Sequence, residues 1–493
     1  MPFRQEKGGK CRTASNKFAN PLILLNILHG SILGDINLKN QETSEAGHLQ
    51  KRLGFAFALA IGIGGVIGAG IMRTTGPVVD QVPVIWIAVG LWVLGGLHVL
   101  LSANIASELA TAIPKAGGLF VPVRIAFGDS MGLLAGWTYW LASIAAIAFL
   151  SIVCANFLAV IFPDLAPNMA AMAVCFCLAL FGLNWIGVRE GSLAQTTGSI
   201  IKLMFLCIII GIAFFATPAL TEAVQTPASG PASAAIPLTF LAIIGAYQLV
   251  YGAYAGWESC IIFVEEDKNA SVNIPRAMAM AIVLITILYV ALNVSLVRAL
   301  DIEVIRNSDL PVADVLENVF GPIGGIVAAT LGIVLAITCL NASVMSAPRV
   351  LYGLGRDGLF LHMATRVNKG GTPDVSFAIT LIFSLFLIFS GGFEFIFRLS
   401  GALAIFCFIL YEASLFALRL QQPDLPRPFR AIGYPYLPAF LLLLDICLLV
   451  AFIAADPVSG LYMLGLIAIC IPVGIILHNR RRQHSLAADI AVS

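Results

Sequence analysis

Apolar segments of about 20 residues recur along nearly the whole chain, and they constrain its fold more than any other feature. A hydrocarbon layer of roughly 30 Å is crossed by a helix of about 20 apolar residues. Only a helix satisfies every backbone N–H and C=O within one such segment. About twelve runs fit this description: 53–73, 84–110, 131–161, 168–186, 196–217, 235–263, 276–298, 322–352, 376–391, 394–417, 434–455 and 459–478. The connections are short, so the expected organisation is one membrane domain over 51–480. A poorly structured cytoplasmic tail (1–50) precedes it and a short cytoplasmic tail (481–493) follows.

Charge supports the same reading. Of 493 residues, 59% are hydrophobic and only 11% are charged, where a soluble domain carries roughly 25% charged. That is too little to cover a water-facing surface. A net charge of +1 offers no basic bulk for nucleic acid. Nine of the ten cysteines lie inside apolar runs, in no metal-ligand spacing, so they read as small apolar residues and neither metal nor cofactor is expected. The N-terminus lacks a secretory-signal pattern: residues 1–20 are polar and basic, and the apolar patch 21–33 is too short to span. That patch reads as a surface segment or as sequence upstream of the true start.

With an even number of spans, one side of the membrane holds most of the basic residues. Lys51 and Arg52 precede the first span, Lys115, Arg124, Arg189, Lys268, Arg276, Arg356, Arg366, Lys369, Arg419, Arg427 and Arg430 occupy loops, and Arg480, Arg481 and Arg482 follow the last. The opposite side holds Arg73, Arg298 and Arg306 among many carboxylates. The positive-inside rule then puts both termini in the cytoplasm, with the chain in the plasma or inner membrane.

Two spans carry signs of interruption. The first contains Gly62, Gly64, Gly65, Gly68 and Gly70. Glycine costs roughly 1 kcal/mol relative to alanine inside a helix, so this run fits an opened helix lining a cavity. It equally fits a close-packing seam through Gly64-x-x-x-Gly68. The sixth span reads Tyr247-Gln248-Leu249-Val250-Tyr251-Gly252-Ala253-Tyr254-Ala255-Gly256-Trp257-Glu258, with glycines, aromatics and a carboxylate inside a membrane segment. Five helices separate the two, and broken helices at matching positions in two halves point to a transporter binding site. The halves are spans one to five and six to ten. An odd number of helices per half makes them inverted copies.

Four ordered stretches resemble the amino acid–polyamine–organocation superfamily of permeases. They are Gly-Val-Ile-Gly-Ala-Gly-Ile (65–71), Ile-Pro-Lys-Ala-Gly-Gly-Leu-Phe (113–120), Ala-Tyr-Ala-Gly-Trp-Glu (253–258) with the polar loop that follows, and Ser-Ala-Pro-Arg-Val-Leu-Tyr (346–352) with Gly-Arg-Asp-Gly-Leu (355–359). The resemblance covers about residues 52 to 480. It implies a leucine-transporter-like fold, all-α and integral to the membrane, with about 12 transmembrane helices, a 5+5 inverted repeat and discontinuous helices 1 and 6. It implies further that an amino acid binds between the breaks. The substrate carboxylate would meet the N–H groups of Gly68, Ala69 and Gly70, since helix N-termini favour anions, and its ammonium the carbonyls of Ile67 and of Tyr251, Gly252 and Ala253. Where many relatives place a bulky aromatic gate, this chain has Gly252, leaving Tyr251, Tyr254 and Trp257 as gate candidates.

Lys202 lies about 9 Å into span five, where the resemblance puts a lysine in sodium-independent members in place of a sodium ion. Burial disfavours the charged form of a lysine, which makes Lys202 a coupling candidate, and snorkelling to the interface is the alternative. Glu258 is an intramembrane carboxylate and by that fact a functional candidate. It fits a proton-binding, a cation-binding or a structural role. Ser143 in span three and Ser343 in span eight complete the expected pocket, whose small apolar neighbours favour a neutral substrate. Single polar residues such as Asn341 and Ser346 equally fit interhelical hydrogen bonding.

The expected activity is secondary active transport of amino acids by alternating access, sodium-independent, by proton coupling or exchange. An amine or polyamine carrier of the same fold, supported by Glu258, and a non-transporting amino acid sensor are the alternatives. An intramembrane enzyme needs paired ionisable groups. His98 is the one histidine in the interior of an expected span, His478 being the last residue of another, and no carboxylate lies on the helix face of His98 within one turn.

Overall fold

The computed structural model describes residues 53–115, 117–216, 239–308, 310–390, 393–455, 457–458, 460–468 and 472. The expected N-terminal and C-terminal tails, and much of the run 459–478, lie outside these residues. Nearly every described residue of the predicted spans is helical. The first interrupted span is α1 (Phe55–Val66) and α2 (Ala69–Gln81), longer than the sequence suggested because α2 carries on past Arg73. Then come α3 (Ile85–Ala112), the short α4 (Phe120–Phe127), α5 (Asp129–Ile161), α6 (Met169–Ile186) and α7 (Val188–Phe215). The sixth segment is split into α8 (Phe240–Ala253) and the single turn α9 (Ser259–Ile262). After α10 (Ala270–Ala299), two short helices, α11 (Ile302–Asn307) and α12 (Pro311–Phe320), lead to α13 (Ile323–Arg356). The last helices are α14 (Asp374–Ser390), α15 (Phe393–Gln421) and α16 (Tyr436–Ala455).

Among the described residues, eight helices are long and apolar enough to cross a bilayer, and the bent pair α1–α2 makes a ninth. The helix carrying α8 and the one at α14 are apolar but shorter. The outer faces are apolar, with Leu94, Leu97, Ile208, Ile287, Phe386 and Leu443 all exposed. Meanwhile Lys202, Glu258, Glu266, Arg349, Glu412 and Asp445 are buried. A soluble protein sorts these residue classes the other way, and the arrangement fits a chain dissolved in lipid.

α5 packs along α13 and α15, while α10 packs along α3, α1 and α7. α1 touches both sets, because it also meets α13. It therefore runs through the middle of the protein with its glycines turned to four neighbours. A Cβ on Gly62 would meet Cys260 Sγ, one on Gly64 Gln195 and Ser199, one on Gly65 the carbonyl of Gly256, and one on Gly68 Cys339 Sγ.

The ends of the two interrupted segments are latched together. Leu53 N–H donates to the Glu266 carbonyl at 3.0 Å and Lys268 N–H to the Leu53 carbonyl at 3.0 Å. Glu266, in the polar loop that follows the 253–258 motif, is buried against Arg349. Two guanidinium nitrogens reach its carboxylate, and Arg349 lies 4.4 Å over the Phe263 ring. Beside it, Arg356 binds Glu265 at 2.7 Å. The third and fourth sequence motifs are therefore two halves of one ionic latch.

Candidate functional site

Between α1 and α2, Ile67 and Gly68 leave helical geometry and adopt extended backbone (ψ 95° and −167°), bending the span by 42°. Gly68 is the N-cap of α2 and no side chain caps it. The first N–H groups of a helix have no partner inside it. This turn is therefore a patch of unpaired donors and positive partial charge in the middle of a membrane segment. The glycine run divides by position: Gly62, Gly64 and Gly65 pack closely against neighbours, and Gly68 marks the break.

The second break lies directly against the first. α8 ends at Ala253, and turns carry the chain to Ser259 through Gly256 at φ +107°, a conformation that glycine adopts without steric cost. A Cβ on Gly65 would lie 2.5 Å from the Gly256 carbonyl oxygen. The two openings thus meet backbone to backbone.

Opening a helix frees carbonyls as well as amides. Lys202, fully buried on α7, donates from Nζ to the Gly64 carbonyl at 2.9 Å and to the Ile67 carbonyl. The side chain crosses toward α1 and does not snorkel outward. Cys339 of α13 lies against the same carbonyls, with Sγ 3.1 Å from Gly64 O and 3.2 Å from Gly65 O. From α10 the Tyr289 hydroxyl reaches two carbonyl oxygens, Val66 O and Ala253 O, each at 3.1 Å. It bridges one break to the other. Two of the carbonyls expected to face a substrate ammonium, at Ile67 and Ala253, thus already hold Lys202 and Tyr289.

A family model described as "Amino acid permease" matches residues 53–476. The chain belongs to that family. Its similarity to curated members runs through most of both chains. The serine/threonine exchanger SteT of Bacillus subtilis is 28% identical over 80% of this chain and 89% of the relative. The branched-chain amino acid permease BcaP of the same species is 24% identical over 81% and 88%. The human large neutral amino acids transporter small subunit 2 is 26% identical over 78% and 72%. These are transporters, and the permease is a multi-pass membrane protein of their kind.

In the permease, Glu258 is buried just past the second break. It accepts from Tyr139 Oη at 3.3 Å and from the Gly256 N–H at 3.1 Å, so it braces the turn it follows. The gate candidates have separate partners. Tyr254 donates to the Trp92 carbonyl at 2.9 Å and is wedged between Trp92 and Tyr289. Trp257 stacks on Phe408, ring centroids 5.6 Å apart. Tyr251 packs edge-on to His98 and Phe452. Ser143 donates to the Tyr139 carbonyl, Ser343 is half-buried on α13, and Gly70 approaches Ala253 across the breaks. Asn341 is interhelical glue, accepting from Asn184 at 2.7 Å and donating to Gln195 at 2.8 Å.

The sequence reading missed three things in the permease. Tyr289 and Cys339 carry no motif, and each reads alone as a stray residue in an apolar run. The third is a carboxylate for His98. None lies on its own helix face, but α16 brings Asp445 Oδ1 to 2.9 Å from His98 Nε2.

Proposed function

We propose that the permease is a secondary amino acid transporter that binds a neutral amino acid between the two breaks and carries it by alternating access, without sodium. On this reading the chain has twelve spans arranged as a 5+5 inverted repeat, with both termini cytoplasmic, in the plasma or inner membrane. The substrate carboxylate sits on the unpaired N–H groups at Gly68, Ala69 and Gly70. Its ammonium uses the remaining lone pairs of carbonyls at the end of α8, each of which can accept twice.

The observation that carries the proposal is the Lys202 ammonium on the carbonyls of Gly64 and Ile67. By the resemblance, a lysine there stands in place of the sodium ion of other members. A neutral side chain on the substrate is favoured because Glu258 is committed to Tyr139 and Gly256, leaving it poorly placed to receive a second cation. The names of the similar proteins, covering serine, threonine, branched-chain and large neutral amino acids, point the same way.

The test is uptake of labelled amino acids and amines into liposomes holding the purified protein, with a pH gradient, a sodium gradient or unlabelled substrate inside. Saturable, sodium-independent uptake of a neutral amino acid, abolished by Gly68→Leu, is the expected result. Ligands that stabilise the protein in detergent while no solute moves would instead make it a sensor.

A further inference from the structure

Away from the breaks, four helices bring a second polar cluster together inside the membrane domain. His98 and Ser102 come from α3, Tyr247 and Tyr251 from α8, Glu412 from α15 and Asp445 from α16. His98, Glu412 and Asp445 are 3%, 2% and 0% exposed. His98 Nδ1 is 2.9 Å from Tyr247 Oη, and its Nε2 is 2.9 Å from Asp445 Oδ1, in ion-pair contact without hydrogen-bond alignment. Ser102 donates to Glu412 Oε1 at 3.4 Å, and Glu412 faces Asp445. Among the described residues, no donor satisfies either oxygen of Asp445 or Oε2 of Glu412.

Charge balance decides what is missing. With all three groups deprotonated, the two carboxylates give a net −2 in a dry interior, which such a site cannot sustain. Two protons make the trio neutral, whether as imidazolium with one acid or as two acids with neutral imidazole. Neighbouring carboxylates share protons for this reason. Other titratable groups on the packed helices include Tyr254 on α8, Cys407 and Tyr411 on α15 and, past the break, Glu258, which Tyr139 and Gly256 hold. α10 contributes Tyr289, against Trp92.

We propose that His98, Asp445 and Glu412 form a proton-binding site of the permease that takes up and releases a proton as α8 moves relative to α15 and α16. Tyr247 and Tyr251 stand on α8, which ends at the second break, so a change of charge in the cluster acts on the half-helix that lines the substrate site. The inference rests on the transporter reading and adds a driving ion to it.

The test compares three readouts in liposomes: counterflow of labelled substrate at equal pH, accumulation driven by a pH gradient, and internal pH reported by trapped pyranine. Wild type should show all three, and a gradient of one pH unit should support up to about tenfold accumulation. Asp445→Asn and Glu412→Gln should keep counterflow and lose both accumulation and proton movement. Should those variants not fold, Tyr247→Phe removes only the hydroxyl at His98 and should shift the pH midpoint of uptake by about half a unit. An unmoved midpoint would overturn the proposal. Retention of proton-driven accumulation in the carboxylate variants would overturn it too, as would driving by sodium that those variants abolish. Absence of counterflow in wild type sinks the transporter reading and this one with it. Counterflow without proton movement sinks this one alone.

Discussion

Substituting alanine for Gly256 tests whether the two breaks are held by backbone contact. Gly256 has φ +107°, and a residue with a Cβ held outside the favoured backbone regions costs of order 1–3 kcal/mol. The new methyl would also run into the backbone of Gly65, carbonyl included. Backbone cannot rotate aside as a side chain does, so overpacking adds about 1–3 kcal/mol. The total, about 2–6 kcal/mol, should lower the thermal midpoint in detergent by several degrees, at roughly 1–2 °C per kcal/mol for a chain longer than the usual reference domains. Gly68→Ala is the matched control. The one close approach of its Cβ is to Cys339 Sγ, at 2.9 Å, the other contacts being ordinary ones at 3.8 Å, so its cost should be about 1–2 kcal/mol and Cys339→Ala should relieve it. The assay is thermal unfolding followed by loss of the monodisperse chromatographic peak, with both single variants, Cys339→Ala and the Gly68→Ala/Cys339→Ala double variant. A Gly256→Ala protein as stable as wild type, or a Gly68→Ala defect that Cys339→Ala leaves untouched, would refute the reasoning.

Three further outcomes follow from the same geometry. Lys202→Met removes the ammonium from the Gly64 and Ile67 carbonyls and leaves them only the weak Cys339 thiol; at about 1–3 kcal/mol for the lost pairing, it should lower the thermal midpoint and reduce counterflow at least about tenfold. Glu266→Gln strands the buried Arg349 guanidinium and should cost about 3–5 kcal/mol, whereas Glu265→Gln, whose pairing with Arg356 is partly exposed, should cost under about 1 kcal/mol; thermal unfolding of the two side by side checks the contrast. Asp314 lies on α12, outside the spans, and burial pushes its carboxyl above the ordinary carboxylate range against a smaller opposing pull from Ser308. A raised folded value means that the native state holds the proton more tightly, so stability is fullest below the unfolded value and falls as pH rises through the folded one. Asp314→Asn should therefore raise the thermal midpoint at pH 7 more than at pH 4, and an equal effect at both would contradict the assignment.

The sequence made the breaks legible because glycine is expensive in a helix and is retained where something replaces the lost helix. At Gly65, Gly68 and Gly256 that something is another backbone or the sulfur of Cys339. Lys202 was legible through the resemblance, since its depth of about two turns into a span fitted snorkelling as well; the opened carbonyls of Gly64 and Ile67 supply its partners. Pairing across distant helices was not legible. Ser102 and Glu412 are 310 positions apart, and no periodicity within one helix reveals what another brings opposite it. For the same reason nothing in the polar loop after α9 marks Glu266, which the fold turns inward to Arg349.

Tyr289 shows what such cross-helix contacts add to the site. An opened span leaves carbonyls on both of its strands, and a membrane interior supplies no water to satisfy them. Lysine can serve one break at the cost of burying a charge. A phenol serves two without charge, because its single oxygen lies 3.1 Å from Val66 O and 3.1 Å from Ala253 O. One proton cannot bond both fully at once, so the contact is a shared donor that can favour either break. On the proposed reading, a substrate ammonium on the second lone pair of the Ala253 carbonyl would weaken the bond from Tyr289 there and favour the one to Val66. Occupancy of the site would then be felt at the first break through the hydroxyl of a residue that no motif marks.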